Sequence, residues 1–464
     1  MIHPAKPARL SSLIAAASLL PAIVSAADYS WNTSTPNSAW SSAGNWTPGG
    51  GPPGSSDNVI SPTLFGTVGL NTTSITVNNF SVNTSTAWSL VGLSGASSTT
   101  NFSIGGTLDK AGSGTLTIRN SGSGLVNFSV NAVNVSAGTL ALGTGGALTG
   151  FTAGSLTMSG GTTNFLIGSS SGTATVTGAV DLGGTSTVNV RGATAAGTSG
   201  MLSVGSLVSS SSTSIVQVNP NSSNPATGTL ELKNASGSAT FAGVVRNGGT
   251  TTNVMNVTKN GAGTQIFTGV NLYSGATTVN DGMLLINNAT GSGTGTSVVT
   301  VNDGGTFGGT GAATGAITVA DGGVLLGGGG AATDDLSLSG NVTFSSGSIL
   351  ELALGASGAH SSLTRTGGVW VFDANQSFNF LDLGATTGLY NNIVSGLTGT
   401  ETGLTSISSS WVIVNNGWTG TFVYDGAGGI DLTLTSLASI PEPTTYAAIL
   451  GAGILAVVGF RRRR

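Results

Sequence analysis

Val279-Asn280-Asp281-Gly282-Met283-Leu284-Leu285-Ile286 is the stretch on which the fold turns, because the chain writes it again. The frame Val-x-x-Gly-x-apolar-x-apolar returns as Val319, Gly322, Val324 and Leu326, and more loosely as Val135, Gly138, Leu140 and Leu142. Val301 with Gly304 and Met158 with Gly161 fit it in part. Neighbouring copies are spaced by the length of one coil of a β-solenoid. Apolar residues at every second position, bounded by Gly, Asn or Asp, spell short half-buried strands. Val133-x-Val135, Ile317-x-Val319 and Leu336-x-Leu338 repeat the pattern, and no segment between the two ends keeps a helical period over three turns. The glycine lets the chain bend with no Cβ in the way.

A single coil of this length buries too few aliphatic side chains to offset the backbone entropy of ordering it. Coils must therefore stack, each pairing its strands with those above and below and leaving two ends to be closed. Tryptophan placement fits that need: Trp31, Trp40, Trp46 and Trp88 lie towards one end, Trp370, Trp411 and Trp418 towards the other, and the middle has none. The expected fold is all-β, a parallel β-helix or β-solenoid with aromatic-rich terminal caps. The expected organisation is a leader over 1–26, an N-terminal β cap over 27–95, solenoid repeats over 96–339, a more aromatic C-terminal β region over 340–435 that ends in wider coils or a small sandwich, and a sorting signal over 436–464.

Composition narrows the functions. Leaving out Lys6, Arg9 and the segment from Glu442 to Arg464, 16 acids face 7 bases, a net charge of about −9. Seven scattered cations cannot bind a polyphosphate by exchanging its counterions, so nucleic acid is not the expected partner. The absence of cysteine removes disulfides and thiolate ligands. Glycine supplies 76 residues, but the periodicity separates this chain from a flexible Gly/Ser linker.

Both ends read as addresses. Lys6 and Arg9 precede an apolar run from Leu10 to Val24, and Val24-Ser25-Ala26 offers the small side chains signal peptidase requires, so the exported chain should begin at Ala27 or Asp28. At the other end stand Pro441-Glu442-Pro443, an apolar run from Tyr446 to Phe460, and Arg461, Arg462, Arg463 and Arg464. Fifteen residues at about 1.5 Å each make one short transmembrane helix of roughly 22 Å against a hydrocarbon core of about 30 Å. Snorkelling arginines extend its reach and hold that end inside. This ending resembles the PEP-CTERM sorting signal of Gram-negative, exopolysaccharide-producing bacteria. The resemblance implies that an exosortase-type membrane enzyme recognises Pro441, Glu442 and Pro443, cuts there, and passes the protein outward after a transient stay in the inner membrane. A tail anchor that is never cut is the alternative.

A second resemblance covers about half the chain. Lys259-x-Gly261-x-Gly263-Thr264-x-Ile266, followed by Gly269-x-Asn271-x-Tyr273-x-Gly275-x-Thr277-x-Val279, is similar to the autotransporter-associated β-strand repeat. Lys110-x-Gly112-x-Gly114-Thr115-Leu116-Thr117-Ile118 is a partial copy without the Asn-x-Tyr-x-Gly half, and Trp31, Trp40, Asn45-Trp46 and Asp57 are similar to the segment that opens many such proteins. The resemblance implies a right-handed β-helix displayed outside the cell. An autotransporter also needs a C-terminal barrel of long alternating strands; the sorting tag here implies another route.

Candidates for chemistry are few, and none is assigned as catalytic, metal-binding or cofactor-binding. His360 needs a nucleophile and an acid nearby in space; otherwise it is a loop histidine. Asp334-Asp335 could hold calcium or share acid and base roles, yet the neighbouring sequence supplies neither further acids nor a base, which favours a turn. Asp281, Asp303 and Asp321, each before a glycine, would stand about 5 Å apart on stacked coils. They are either tight-turn pairs or a row for a divalent cation. The loop from Gly426 to Leu432 echoes a calcium nonapeptide only once. Tyr273 and Trp88 either pack inside or stack on sugars. The expected function is that of an exported structural or adhesive protein of the cell surface or matrix, associated with exopolysaccharide and not an enzyme; a polysaccharide lyase or hydrolase on the same scaffold is the alternative.

Overall fold

The computed structural model describes residues 26–437 apart from 36–37, 61–65, 93–98, 122–123, 144–146, 167–170, 192–198, 219–225, 250–252 and 408. The leader, the sorting motif, its apolar run and the arginine tail lie outside the described residues. Among the described residues no helix is long and apolar enough to cross a membrane.

The chain is a β-solenoid of about 12 turns with aromatic clusters at both ends. In the first half a typical coil is a long strand with a bend, then a corner, then a short strand, as in Thr99–Ala111 followed by Thr115–Arg119. Long strands stack in parallel register, so that Phe102 lies against Phe128 and Phe128 against Phe151, with ring centroids 5.4 and 5.6 Å apart. The short strands form a separate nine-stranded sheet from Ser38–Ala39 to Val244–Arg246. Alternation does what the sequence predicts: Leu140, Leu142, Val279, Leu284 and Ile286 are fully buried in one continuous core.

Two expectations need adjustment. Coils are less uniform than the repeat: Val299 pairs with Ile317 after a short coil, whereas Val342 pairs with Trp370 after a distinctly longer one. The repeat frame also slips by one. Leu284 lies level with Phe307, and Phe307 with Leu325, so Leu325 and not Val324 fills the core. Asp303-Gly304-Gly305 and Asp321-Gly322-Gly323 hold one residue more at the corner than Asp281-Gly282 does, and a one-residue shift exchanges inward for outward side chains.

The ends close differently. At the start, Ser30 and Trp31 pair antiparallel with Thr47 and Trp46, and Trp46 meets Trp31 and Trp40 edge-on at 4.9 and 4.7 Å. Trp88 is buried against Phe80. Over 340–435 the parallel coils continue through Ser377–Leu383 to Val412–Ile413. Gly429–Ser436 then runs antiparallel to both Gly388–Ser395 and Thr419–Tyr424, and Phe422 stacks on Phe378 at 4.3 Å.

Candidate functional site

The acids singled out in the sequence do not converge. Asp334 turns back into its own loop, where Oδ2 accepts the backbone N–H groups of Gly329 and Ala331 at 3.0 Å each. Its neighbour Asp335 accepts the hydroxyls of Ser362 and Thr364 from the next coil, both at 2.7 Å. The carboxylates of Asp303 and Asp321 fold over Gly322 and Gly347, in the space a Cβ would take. Asp425 accepts the N–H groups of Ala427 and Gly429, which hold its carboxyl below the usual range, so that loop is a turn. No group of three or more His, Asp or Glu able to hold a metal occurs among the described residues. His360 bonds the carbonyl of Ser361 and leans on Tyr390. Tyr273 is fully buried, its hydroxyl 2.7 Å from that of Thr277 and its ionisation pushed up by desolvation. Neither it nor Trp88 is offered to sugars.

Sequence reasoning passed over the buried cations. Lys110 occupies an inward position, level with Val82 below and Val135 above, and is 1% exposed. Its ammonium donates to the carbonyls of Ala111 (2.7 Å), Gly112 (2.8 Å) and, one coil on, Ala137 (3.1 Å). Lys259 does the same, donating to Gly261 and to Asp281 of the next coil at 3.2 Å. Arg365 is a third case, reaching Gly367, Gly368 and Gly396 and an ion pair with Glu401 at 3.7 Å. Each cation collects corner carbonyls left over from the strand ladders and joins two successive corners. The signal was present: a Lys or Arg at an inward place in the alternation, two residues before a glycine.

One flank carries a furrow. Outward-facing threonines of Ser171–Leu182 meet Met201 and Ser203 of Ser199–Val208, then Thr229 and Glu231 of Thr227–Leu232. Three adjoining hollows of about 180, 500 and 280 Å³ share Thr173, Met201, Thr177, Gly205 and Lys233, so they form one trough. At the bend beside this trough the carbonyls of Thr177 and Gly178 occupy the place of a Cβ on Gly205, so that position carries no side chain. The chain from Lys233 to Ser238 walls one side. On the floor Glu231 is 9% exposed, accepts the amide of Asn260 at 2.7 Å and pairs with the exposed Lys233 ammonium at 3.2 Å. Burial alone would raise its pKa, but bonds from Ser203, Asn260 and Lys233 prevail and hold it below the usual range.

Residues 108–142 and 257–286 match the family model of the passenger-associated-transport repeat, and residues 439–464 match that of the PEP-CTERM protein-sorting motif. The chain carries both signatures. No curated protein matches it. Each passenger repeat spans one cation staple whole, from Lys110 to Gly138 and from Lys259 to Gly282, so the repeat is physically a pair of stacked corners pinned by a lysine. The sorting motif implies export to the cell surface by way of a sorting enzyme of the exosortase kind, and a solenoid with passenger repeats suits a surface protein.

Proposed function

We propose that this protein is a non-catalytic structural or adhesive component of the cell surface or extracellular matrix and associates with exopolysaccharide there. The observation that carries the reading is the sorting motif placed directly after a rod-like solenoid. The described acids support it by their occupation: Asp334, Asp335, Asp425 and Glu401 are each spent on turns or neighbouring strands. Adhesion would come from multivalency, with many weak rows of Ser, Thr and Asn along a stiff rod adding up through avidity.

In the proposed route signal peptidase removes the leader after Ala26, the apolar run lodges in the inner membrane with Arg461 to Arg464 inside, and the sorting enzyme acts at Pro441-Glu442-Pro443. Fractionation of cells making the wild type or a Pro441→Ala/Glu442→Ala variant tests this. The wild type should be found outside and the variant in the inner membrane; equal release of both would refute the routing. Turnover of any polysaccharide in a reducing-end assay would refute the non-catalytic part.

A further inference from the structure

We propose that the furrow across strands Ser171–Leu182, Ser199–Val208 and Thr227–Leu232 is the place where the protein grips polysaccharide, and that its ligand is an uncharged, hydroxyl-rich glycan strand. This rests on the reading of the protein as an exopolysaccharide-associated one and gives that reading a site.

Shape is the first argument. The trough follows the strands, and the run from Thr173 to Ala179 at about 3.3 Å per residue gives it roughly 20 Å of length. Its largest hollow, about 500 Å³, has the volume of a small-molecule site, but the trough as a whole is drawn out and suits a segment of polymer.

Chemistry is the second. Thr173 and Thr175 present hydroxyls that both donate and accept, while the Thr177 hydroxyl, which donates to the Ala153 carbonyl, is left to accept, and Met201 supplies an apolar surface for the C–H face of a ring. Glu231 is a fixed carboxylate, already oriented by Asn260 and Lys233, to which paired sugar hydroxyls can donate.

Charge selects the class. The ammonium and carboxylate in the trough neutralise each other, so nothing there is left over to hold a sugar acid. The exported chain, at about −9, repels polyanions as a whole.

The test uses the full-length chain in a detergent without sugar headgroups. Its mobility is followed in gels containing soluble neutral glucans, mannans or galactans, and in gels containing alginate, a polyuronate. Thr175→Trp fills the trough, Thr229→Trp fills it from the next strand should the first variant misfold, and Thr300→Trp puts the same bulk on the outer face of a distant coil. Retardation of the wild type by a neutral polymer, weakened at least tenfold by either trough variant and unchanged by Thr300→Trp, is the expected result. Equal binding by wild type and trough variants would overturn the furrow and leave the general reading standing. Binding to alginate alone would overturn the ligand class. No binding by the wild type to any of these polymers would overturn furrow and general reading together.

Discussion

At the scale of a single residue, Lys259 shows how an ionic group can be buried in a thin core. Burial pushes its pKa down to about 8, with Asp281 pulling the other way. Below about pH 8 the amine is protonated in the folded and unfolded chains alike. Between about 8 and 10.5 the unfolded chain keeps a proton that the folded chain has shed, so stability should rise with pH through that window. Lys259→Met should reduce that rise, leaving the part due to Lys110, whose burial also lowers its pKa, and at pH 7 should cost about 1–3 kcal/mol by leaving the Gly261 and Asp281 carbonyls without a donor; urea melts of both proteins across pH 7 to 10 measure the two effects. A melt in which the variant keeps the wild-type pH profile would assign the rise to another group. Above this staple, Gly282 has a φ of +63°, and a Cβ there would collide with the carbonyls of Gly261 and Gly263. Gly282→Ala is expected to lose about 2 kcal/mol or more, visible as a lowered urea midpoint. The sequence made the glycine legible, since it stands at a fixed place in the repeat. It hid the lysine, because a cation at an inward position contradicts the alternation rule unless one knows which carbonyls the corner leaves free.

At the scale of the strand, what holds neighbouring coils is more than the backbone ladder. Glu231, Asn260, Asn280 and Asn302 stand one above another, and each amide donates to the residue one coil earlier, at 2.7, 2.7 and 2.6 Å. A ladder of this kind is shared, so its rungs are not independent. Asn280→Ala breaks two of them and should cost about 1–2 kcal/mol, while Asn302→Ala breaks one and should cost about 1 kcal/mol. The double variant should lose less than the sum, because the bond between them is counted once; strict additivity in urea melts would show that the rungs act separately. Strand positions were readable from alternation, whereas register was readable only to within one position. Leu284 was matched to Val324 in the repeat, but the doubled glycine of Gly322-Gly323 lengthens the corner by one place and brings Leu325 level instead. Corner length is set by how the backbone turns in three dimensions, which a one-dimensional frame does not record. The furrow escaped the sequence for a related reason: Thr173, Met201 and Thr229 belong to three successive coils, far apart along the chain, and become neighbours only through the stacking.

For the whole molecule, about 12 turns at about 4.8 Å each make a rod of roughly 58 Å, and a rod of parallel coils has the problem of every open sheet: two terminal edges able to recruit another chain. The protein answers it twice with aromatic lids and a reversal of strand direction. The reversal at the C-terminal end depends on Thr419–Tyr424 and Gly429–Ser436, which cover the far edge of Gly388–Ser395 and lay Phe422 over Phe378. A chain ending at residue 418 should therefore keep the β signature of its coils in circular dichroism, since each coil depends mainly on its neighbours. It should nevertheless associate, through the bared edge and the uncovered Phe378 and Phe380, into oligomers that light scattering detects at micromolar concentration, where a chain ending at residue 437 stays monomeric. A monomeric short chain with an unchanged melt would mean that the lid is ornamental and that the parallel coils before it close themselves. The lid strands lie directly before the sorting motif, so under the route proposed above they are the last folded part to be made before the chain meets the sorting enzyme, and a defect there should appear in cells as aggregated full-length chain that is not exported.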